Sequence, residues 1–234
     1  MTLLCGADGC KGGWVVATHD VVSGETSALR ASCIQEIFKS DGELAVLAID
    51  VPIGLPDAGP RACDIEARVR LGRPRGSAVF PAPIRPMLSA TSHGHACRIG
   101  RQCDGRGLTV QCWHILPKIR EIDAYLREHP SDRVRIREVH PEVSFMLLAG
   151  KPMRYPKRNL DGRRERVALL KPVFGRAVSL AIENRKTIGA RPDDILDAFA
   201  ALWSAKRVFD NAAVTFPARG PELDTEGIPM EIVA

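Results

Sequence analysis

The chain reads as a mixed α/β protein, and three observations predict it. Short strand-like runs separated by glycine-rich turns open the sequence. An unalternating apolar run, Leu44-Ala45-Val46-Leu47-Ala48-Ile49, follows. Segments of helical periodicity then dominate the second half.

Taken in order, residues 3–8, 14–19 and 26–32 are the first three strand candidates. Glycines at 9, 12 and 13 favour a tight connection between the first two, and Ser23-Gly24-Glu25 joins the second to the third, which predicts an antiparallel meander. A short helix is expected over 34–40, with a turn at Asp41-Gly42. The run 44–49 has the character of a strand buried on both faces, expected to lie parallel in the centre of the sheet. It ends on Asp50, and Pro52 and Gly54-Leu55-Pro56 break it at once.

Residues 57–130 read as a helical insertion after the fourth strand, within a single domain spanning 1–234. A helix is expected at 61–71 and a Gly-, His-, Cys- and Arg-rich loop at 91–109. Apolar residues at 115, 116, 119, 122 and 126 give an amphipathic helix that Pro117 starts or kinks. A strand at 134–139 places Val134, Ile136 and Glu138 on one face. Helices at about 141–150 and 162–170 follow, then a longer one from Pro192 to Phe209, and a closing strand at 229–233.

The bulk properties narrow the function classes. A content of 45% hydrophobic and 26% charged residues suits a globular domain, and no apolar run approaches the ~20 residues of a membrane span. No basic and apolar leader opens the chain, so the cytoplasm is the expected location and no membrane partner is expected. Seven cysteines without framework spacing are read as reduced thiols. Of 33 basic residues, 25 are arginine, and the net charge is +5, which permits a nucleic-acid partner without requiring one. His93-x-His95-x-Cys97, with Cys103, Cys112 and His114, lacks the paired C-x₂-C spacing of a structural zinc site. Trp14 and Trp113 are expected in the core rather than as base-stacking platforms.

Chemistry concentrates in the carboxylates. Asp8 and Asp50 each terminate an apolar strand, and Glu138 closes a third. If these strands are neighbours, their carboxyl ends share one edge, where ligands commonly bind in such sheets. Asp193 and Asp194 open the last long helix, and at 100° per residue Asp194 and Asp197 share a flank. That flank continues through Ala198, Ala201 and Ala205, small enough to bring the helix close to the sheet. Clustered carboxylates repel one another unless cations neutralise them, and hard oxygen donors suit Mg²⁺ or Mn²⁺. Two such ions can support phosphodiester cleavage. The alternatives are plain: Asp8 capping a turn, Asp193 and Asp194 complementing the helix dipole, Glu138 pairing with Arg135 or Arg137.

From Gly6 to about Leu202 the chain resembles the family known as DUF429, described as ribonuclease H-like nucleases by prediction. The resemblance is carried by Gly-Ala-Asp-Gly-Cys-Lys-Gly-Gly-Trp at 6–14 and Ile-Asp-Val-Pro-Ile-Gly-Leu-Pro at 49–56. Arg61-Ala-Cys-Asp64, the segment 77–85 ending in Arg85, the segment 115–123, and Glu138-Val-His-Pro-Glu142 continue it. Lys157 through Gly162 to Arg166, and Asp194 through Asp197, complete it. The resemblance implies an RNase H-like mixed sheet in order 3-2-1-4-5, with Asp8 on the first strand and Asp50 on the fourth. It adds an acidic residue of the last helix, Asp194 or Asp197, as a further metal ligand, with Glu138 and Glu142 as other catalytic candidates. Lys11, Arg85, Lys118, His140, Lys157 and Arg164 are the substrate-binding candidates. The expected activity is divalent-metal-dependent cleavage of RNA, DNA or a hybrid. The alternatives are a non-catalytic RNase H-like module that binds nucleic acid or protein, and an actin-like or sugar-kinase fold. The last is disfavoured because no second glycine-rich phosphate turn follows.

Overall fold

The computed structural model describes residues 1–39 and 42–234. From the N-terminus the elements are β1 (Thr2–Cys10), β2 (Gly13–Asp20), β3 (Thr26–Ala31), α1 (Ile34–Ile37) and β4 (Glu43–Ile49). Next come α2 (Ala62–Leu71), α3 (His93–Asp104), α4 (Val110–Glu128), β5 (Ile136–Glu138) and α5 (Pro141–Ala149). The chain continues with α6 (Leu160–Phe174), α7 (Ala177–Glu183), α8 (Arg185–Ile188) and α9 (Pro192–Phe209), then the two-residue strands β6 (Thr215–Phe216), β7 (Glu222–Leu223), β8 (Pro229–Met230) and β9 (Ile232–Val233). The expected helix end at Ser40 and the turn residue Asp41 lie outside the described residues.

The chain divides into two compact units. The first takes in Met1–Asp50, Val134–Val214 and Val233–Ala234, and the second Val51–Arg133 and Thr215–Ile232.

The first unit is built on a five-stranded sheet in order β3-β2-β1-β4-β5, the expected order. β1 pairs antiparallel with β2 and parallel with β4, and β4 pairs parallel with β5. The unalternating apolar character of β4 follows from its place: Val46, Leu47, Ala48 and Ile49 are all buried. Cys10 pairs with Gly13 across a two-residue turn of Lys11 and Gly12, and Gly12 alone there adopts a left-handed φ of +74°. Gly13 serves proximity instead, since a Cβ on it would lie 2.3 Å from the Ala31 carbonyl oxygen.

Helix α9 packs on β1, and its small-residue flank decides how closely. Ala198, Ala201 and Ala205 are fully buried. A Cβ on Gly6 would come within 2.0 Å of the Leu202 nitrogen and 2.3 Å of the Ala198 oxygen. Only glycine admits that backbone-to-backbone approach. Phe199 and Phe174 meet with ring centroids 5.5 Å apart, extending the core from α9 to α6. Trp14 is fully buried in the sheet, as expected for a core residue.

The second unit is held by buried ion pairs. Arg61 grips Asp64 through two nitrogens and donates to the Ile53 carbonyl at 2.9 Å. Asp64 also accepts from the Ala82 amide at 3.1 Å. Asp224 accepts from the amides of Leu55, Glu226 and Ile228, each at 2.9 Å, and pairs with Arg85.

Two local expectations are corrected and a third is narrowed. Residues 93–104 form helix α3, not loop: Ser92 caps it by accepting from the His95 amide, and Gly105 ends it in a left-handed conformation. The cap outweighs the Gly and His content that suggested a loop. Val134 does not join β5; it ends a 3₁₀ turn and is 76% exposed, while Ile136 and Glu138 are buried. Of the two roles left open for Pro117, starting the helix is ruled out: it lies inside α4, which Thr109 caps two turns earlier. Helices α7 and α8 were not expected at all.

Candidate active site

The carboxylates are positioned by sheet register. Ala7 pairs with Ile49 across the parallel β1–β4 ladder, and the Asp50 amide donates to the Ala7 carbonyl at 3.0 Å. Asp8 and Asp50 are therefore the next residues on two adjacent strands, at the same edge. Ile49 pairs in turn with Glu138 on β5, and the Val139 amide donates to the Ile49 carbonyl at 3.0 Å. Parallel pairing in this register is the physical reason the three acids come level at one edge, although β1 itself runs on to Cys10.

Helix α9 supplies two more acids, which serve differently. Asp194 Oδ2 accepts from the Arg191 amide at 3.1 Å, and Asp194 Oδ1 from Arg191 Nη2 at 3.0 Å. It acts as a cap for the helix and as a partner of Arg191. Asp197, one turn on and 1% exposed, turns to the carboxylates of the strands and receives the ammonium of Lys157 on Oδ2.

Lys157 stands on a connection stapled to α6. The Arg154 and Tyr155 amides donate to the two oxygens of Glu165 at 2.8 and 3.0 Å. Asn159 caps α6 by accepting from the Gly162 amide at 2.7 Å, and a Cβ on Gly162 would lie 2.0 Å from the Pro156 carbonyl oxygen. Arg166, fully buried, donates to the Tyr155 carbonyl at 3.2 Å and to Glu142 Oε1. One guanidinium thus anchors both the Lys157 segment and Glu142. Glu142 Oε2 is buried and has no hydrogen-bond partner among the described residues.

These groups share their electrostatics. Burial pushes the Asp8 carboxyl well above the usual range, Asp50 and Asp197 push it further, and Lys157 opposes them. Asp50 is raised by burial and by Glu142, against the lowering influence of His140 and Lys157. Burial raises Asp197 to about 6, with Lys157 opposing and Asp50 and Glu142 adding to the rise. Lys157 is raised in turn, first by Asp197 and then, against burial, by Asp8 and Asp50. Such mutual shifts arise when like charges crowd a poorly hydrated space.

Of the sequence-predicted residues, Asp8, Asp50, Glu142, Asp194, Asp197, His140 and Lys157 thus act on one another in the first unit, and Glu138 stands beside them on β5. Lys11 lies in the exposed β1–β2 turn. Arg164 is on the surface of α6, 3.6 Å from Asp161. Arg85 and Lys118 belong to the second unit. There Arg85 contacts Asp123 at 2.9 Å as well as Asp224, and Lys118 contacts Glu121 at 3.0 Å. Arg166 and Arg191 received no role from sequence, although Arg166 closes one of the motifs quoted above. In the second unit Cys97 faces His93 Nε2 and the Leu108 carbonyl oxygen, each at 3.5 Å.

The donor chemistry of the cluster fits a hard divalent cation: all its acidic ligand atoms are carboxylate oxygens, and Glu142 Oε2 is a buried acceptor without a donor among the described residues. Among the described residues, however, no three His, Cys, Asp or Glu side chains converge closely enough to grip an ion between them. At Asp197 the neighbour is the Lys157 ammonium.

No helix among the described residues is long and apolar enough to cross a membrane. No curated protein and no solved structure matches the chain. The family described as "Protein of unknown function (DUF429)" matches residues 6–222, and the chain belongs to that family.

Proposed function

We propose that the chain is an RNase H-like, divalent-metal-dependent nuclease whose reaction centre is formed by Asp8, Asp50 and Asp197. The observation that carries this reading is the charge balance at the sheet edge. Glu142 is matched by Arg166 and Asp194 by Arg191, whereas among the described residues Asp8, Asp50 and Asp197 share the ammonium of Lys157, with His140 also acting on Asp50. Carboxylates outnumber cations at this edge, an excess of negative charge that a bound Mg²⁺ or Mn²⁺ ion would neutralise. The sheet order is also the one the family resemblance implies.

In this reading Asp8, Asp50 and Asp197 would hold the cation after a local adjustment that brings their oxygens together, with Glu142 Oε2 as a further acceptor. The chemistry such an ion would supply, when bound, is Lewis-acid activation of a water for attack on phosphorus. Lys157 keeps Asp197 ionised and ready to bind. Arg166 fixes Glu142 and the Lys157 segment together, and His140, whose charge acts on Asp50, moves a proton to or from the reacting oxygen. Arg191 holds Asp194 at the helix start.

The test is cleavage of RNA, DNA and RNA–DNA hybrid by purified protein with Mg²⁺ or Mn²⁺. Metal-dependent cleavage that falls at least about a hundredfold in Asp8→Asn and Asp50→Asn is the expected outcome. Absence of cleavage on all three substrates, or undiminished cleavage by Asp8→Asn, would sink the proposal. A non-catalytic nucleic-acid-binding module is the second reading. It is favoured by the Lys157–Asp197 pair and by the lack of three converging ligands, and retained affinity without cleavage would support it.

A further inference from the structure

A cleft of about 620 Å³ opens in the first unit between the β1–β2 turn and the segment that leads from α8 into α9. Lys11 lines one wall, Arg185, Lys186 and Arg191 the other, and Asp194 is the one acidic residue of the lining. Among the described residues, no carboxylate lies within ion-pair distance of Lys11, Arg185 or Lys186. Arg191 alone is matched, by Asp193 and Asp194. Unmatched cations on facing walls of a concave surface focus a positive potential, which recruits anions.

The Arg30 side chain ties the two walls of the cleft together. Arg30 of β3 donates to the Lys11 carbonyl at 2.8 Å and the Gly12 carbonyl at 3.1 Å, and reaches the Gly189 carbonyl at 3.4 Å. Gly12 and Gly189 both have left-handed backbones, and a Cβ on Gly189 would lie 2.5 Å from Arg30 Nη1. The left-handed backbone at 189 is the reason for glycine there, and the absent Cβ leaves room for the Arg30 guanidinium. The lining ends at Asp194, whose charge also acts on Asp8.

We infer that this cleft binds the phosphodiester backbone of a single nucleic-acid strand and leads it to the carboxylate edge. The inference rests on the nuclease reading for what happens at that edge, but the binding itself does not. Lysines give strand affinity without base preference, and their contacts release counterions, so the binding is steeply salt-dependent.

The experiment is fluorescence anisotropy of labelled single-stranded RNA and DNA on the full chain, in EDTA so that nothing is cut, over a range of salt. The paired substitution Lys11→Ala/Lys186→Ala, at exposed positions, is expected to weaken binding about tenfold. It should also make the slope of log K against log salt shallower by about 1.4, two lost contacts on a single strand. Asp8→Asn should bind at least as well as the wild type. An oligonucleotide should compete far better than inorganic phosphate at equal phosphate concentration. Wild-type affinity and slope in the double variant, or equal competition by inorganic phosphate, overturns the strand-binding cleft. Failure of cleavage with these binding results intact overturns only the nuclease reading.

Discussion

The ammonium of Lys157 rests on Oδ2 of Asp197, a residue 1% exposed and one turn into α9. The two are forty residues apart in sequence, joined because α6 staples the Lys157 segment in place. Replacing Lys157 by Ala leaves Asp197 with a buried, unmatched charge. The expected cost is about 1–3 kcal/mol, at the modest end because the lysine is partly open to solvent. Urea unfolding at neutral pH measures it, and Lys157→Ala/Asp197→Asn should recover most of the loss. Equal stability of Lys157→Ala and wild type would show that the pair contributes nothing.

The raised carboxyls make stability depend on pH in a defined direction. Asp197 titrates at about 6 in the folded chain, against 3.8 as the ordinary aspartate value. Between those values the folded state binds more protons than the unfolded state, so stability falls as pH rises through the window from about 4 to about 6. Asp8 and Asp50, both raised, act in the same sense. Thermal melts in EDTA should therefore show the melting temperature declining across this window, and Asp197→Asn should flatten the decline. If the cluster holds Mg²⁺, millimolar metal should raise the melting temperature above pH 6 and much less at pH 4, where protons compete for the same oxygens.

Gly6→Ala tests the contact between β1 and α9. The added methyl would overlap the Leu202 nitrogen and the Ala198 carbonyl, both backbone atoms that cannot rotate away. A loss of about 3 kcal/mol or more is expected, at the upper end for overpacking. Denaturant midpoints measure it. A neutral Gly6→Ala would mean that α9 does not lie as close to the sheet as described.

The legible part of the fold came from local signals. The apolar run 44–49 announced a strand buried on both faces, and the glycine turn at 9–13 announced a hairpin. The alanine flank of α9 announced a helix lying close to a sheet. Those patterns are periodic and contiguous, and burial imposes them on the sequence directly. Helix α3 was missed because its stability rests on the Ser92 cap and Gly105 stop, which a count of Gly, His and Arg conceals. Helices α7 and α8 are too short to show a period.

The acids of the site were legible one by one, but their partnerships, and the parts of Arg166 and Arg191, were not. Asp8 and Asp50 could be named from strand ends, since a carboxylate closing an apolar run is visible in one dimension. That Asp194 turns to Arg191 while Asp197 meets Lys157, and that a buried Arg166 matches Glu142, depends on which side chains meet across the fold. Arg85 and Lys118 show the same limit: named as substrate-binding candidates from sequence, they contact acids of the second unit that the sequence did not pair with them. The sequence by itself determined the strands of the sheet, the longer helices apart from α3, and the acids near the strand ends, because burial and backbone geometry act on neighbours in the chain. Only the tertiary structure decided how the charges pair, because ion pairing is settled by distances of a few ångströms between residues that the chain keeps far apart.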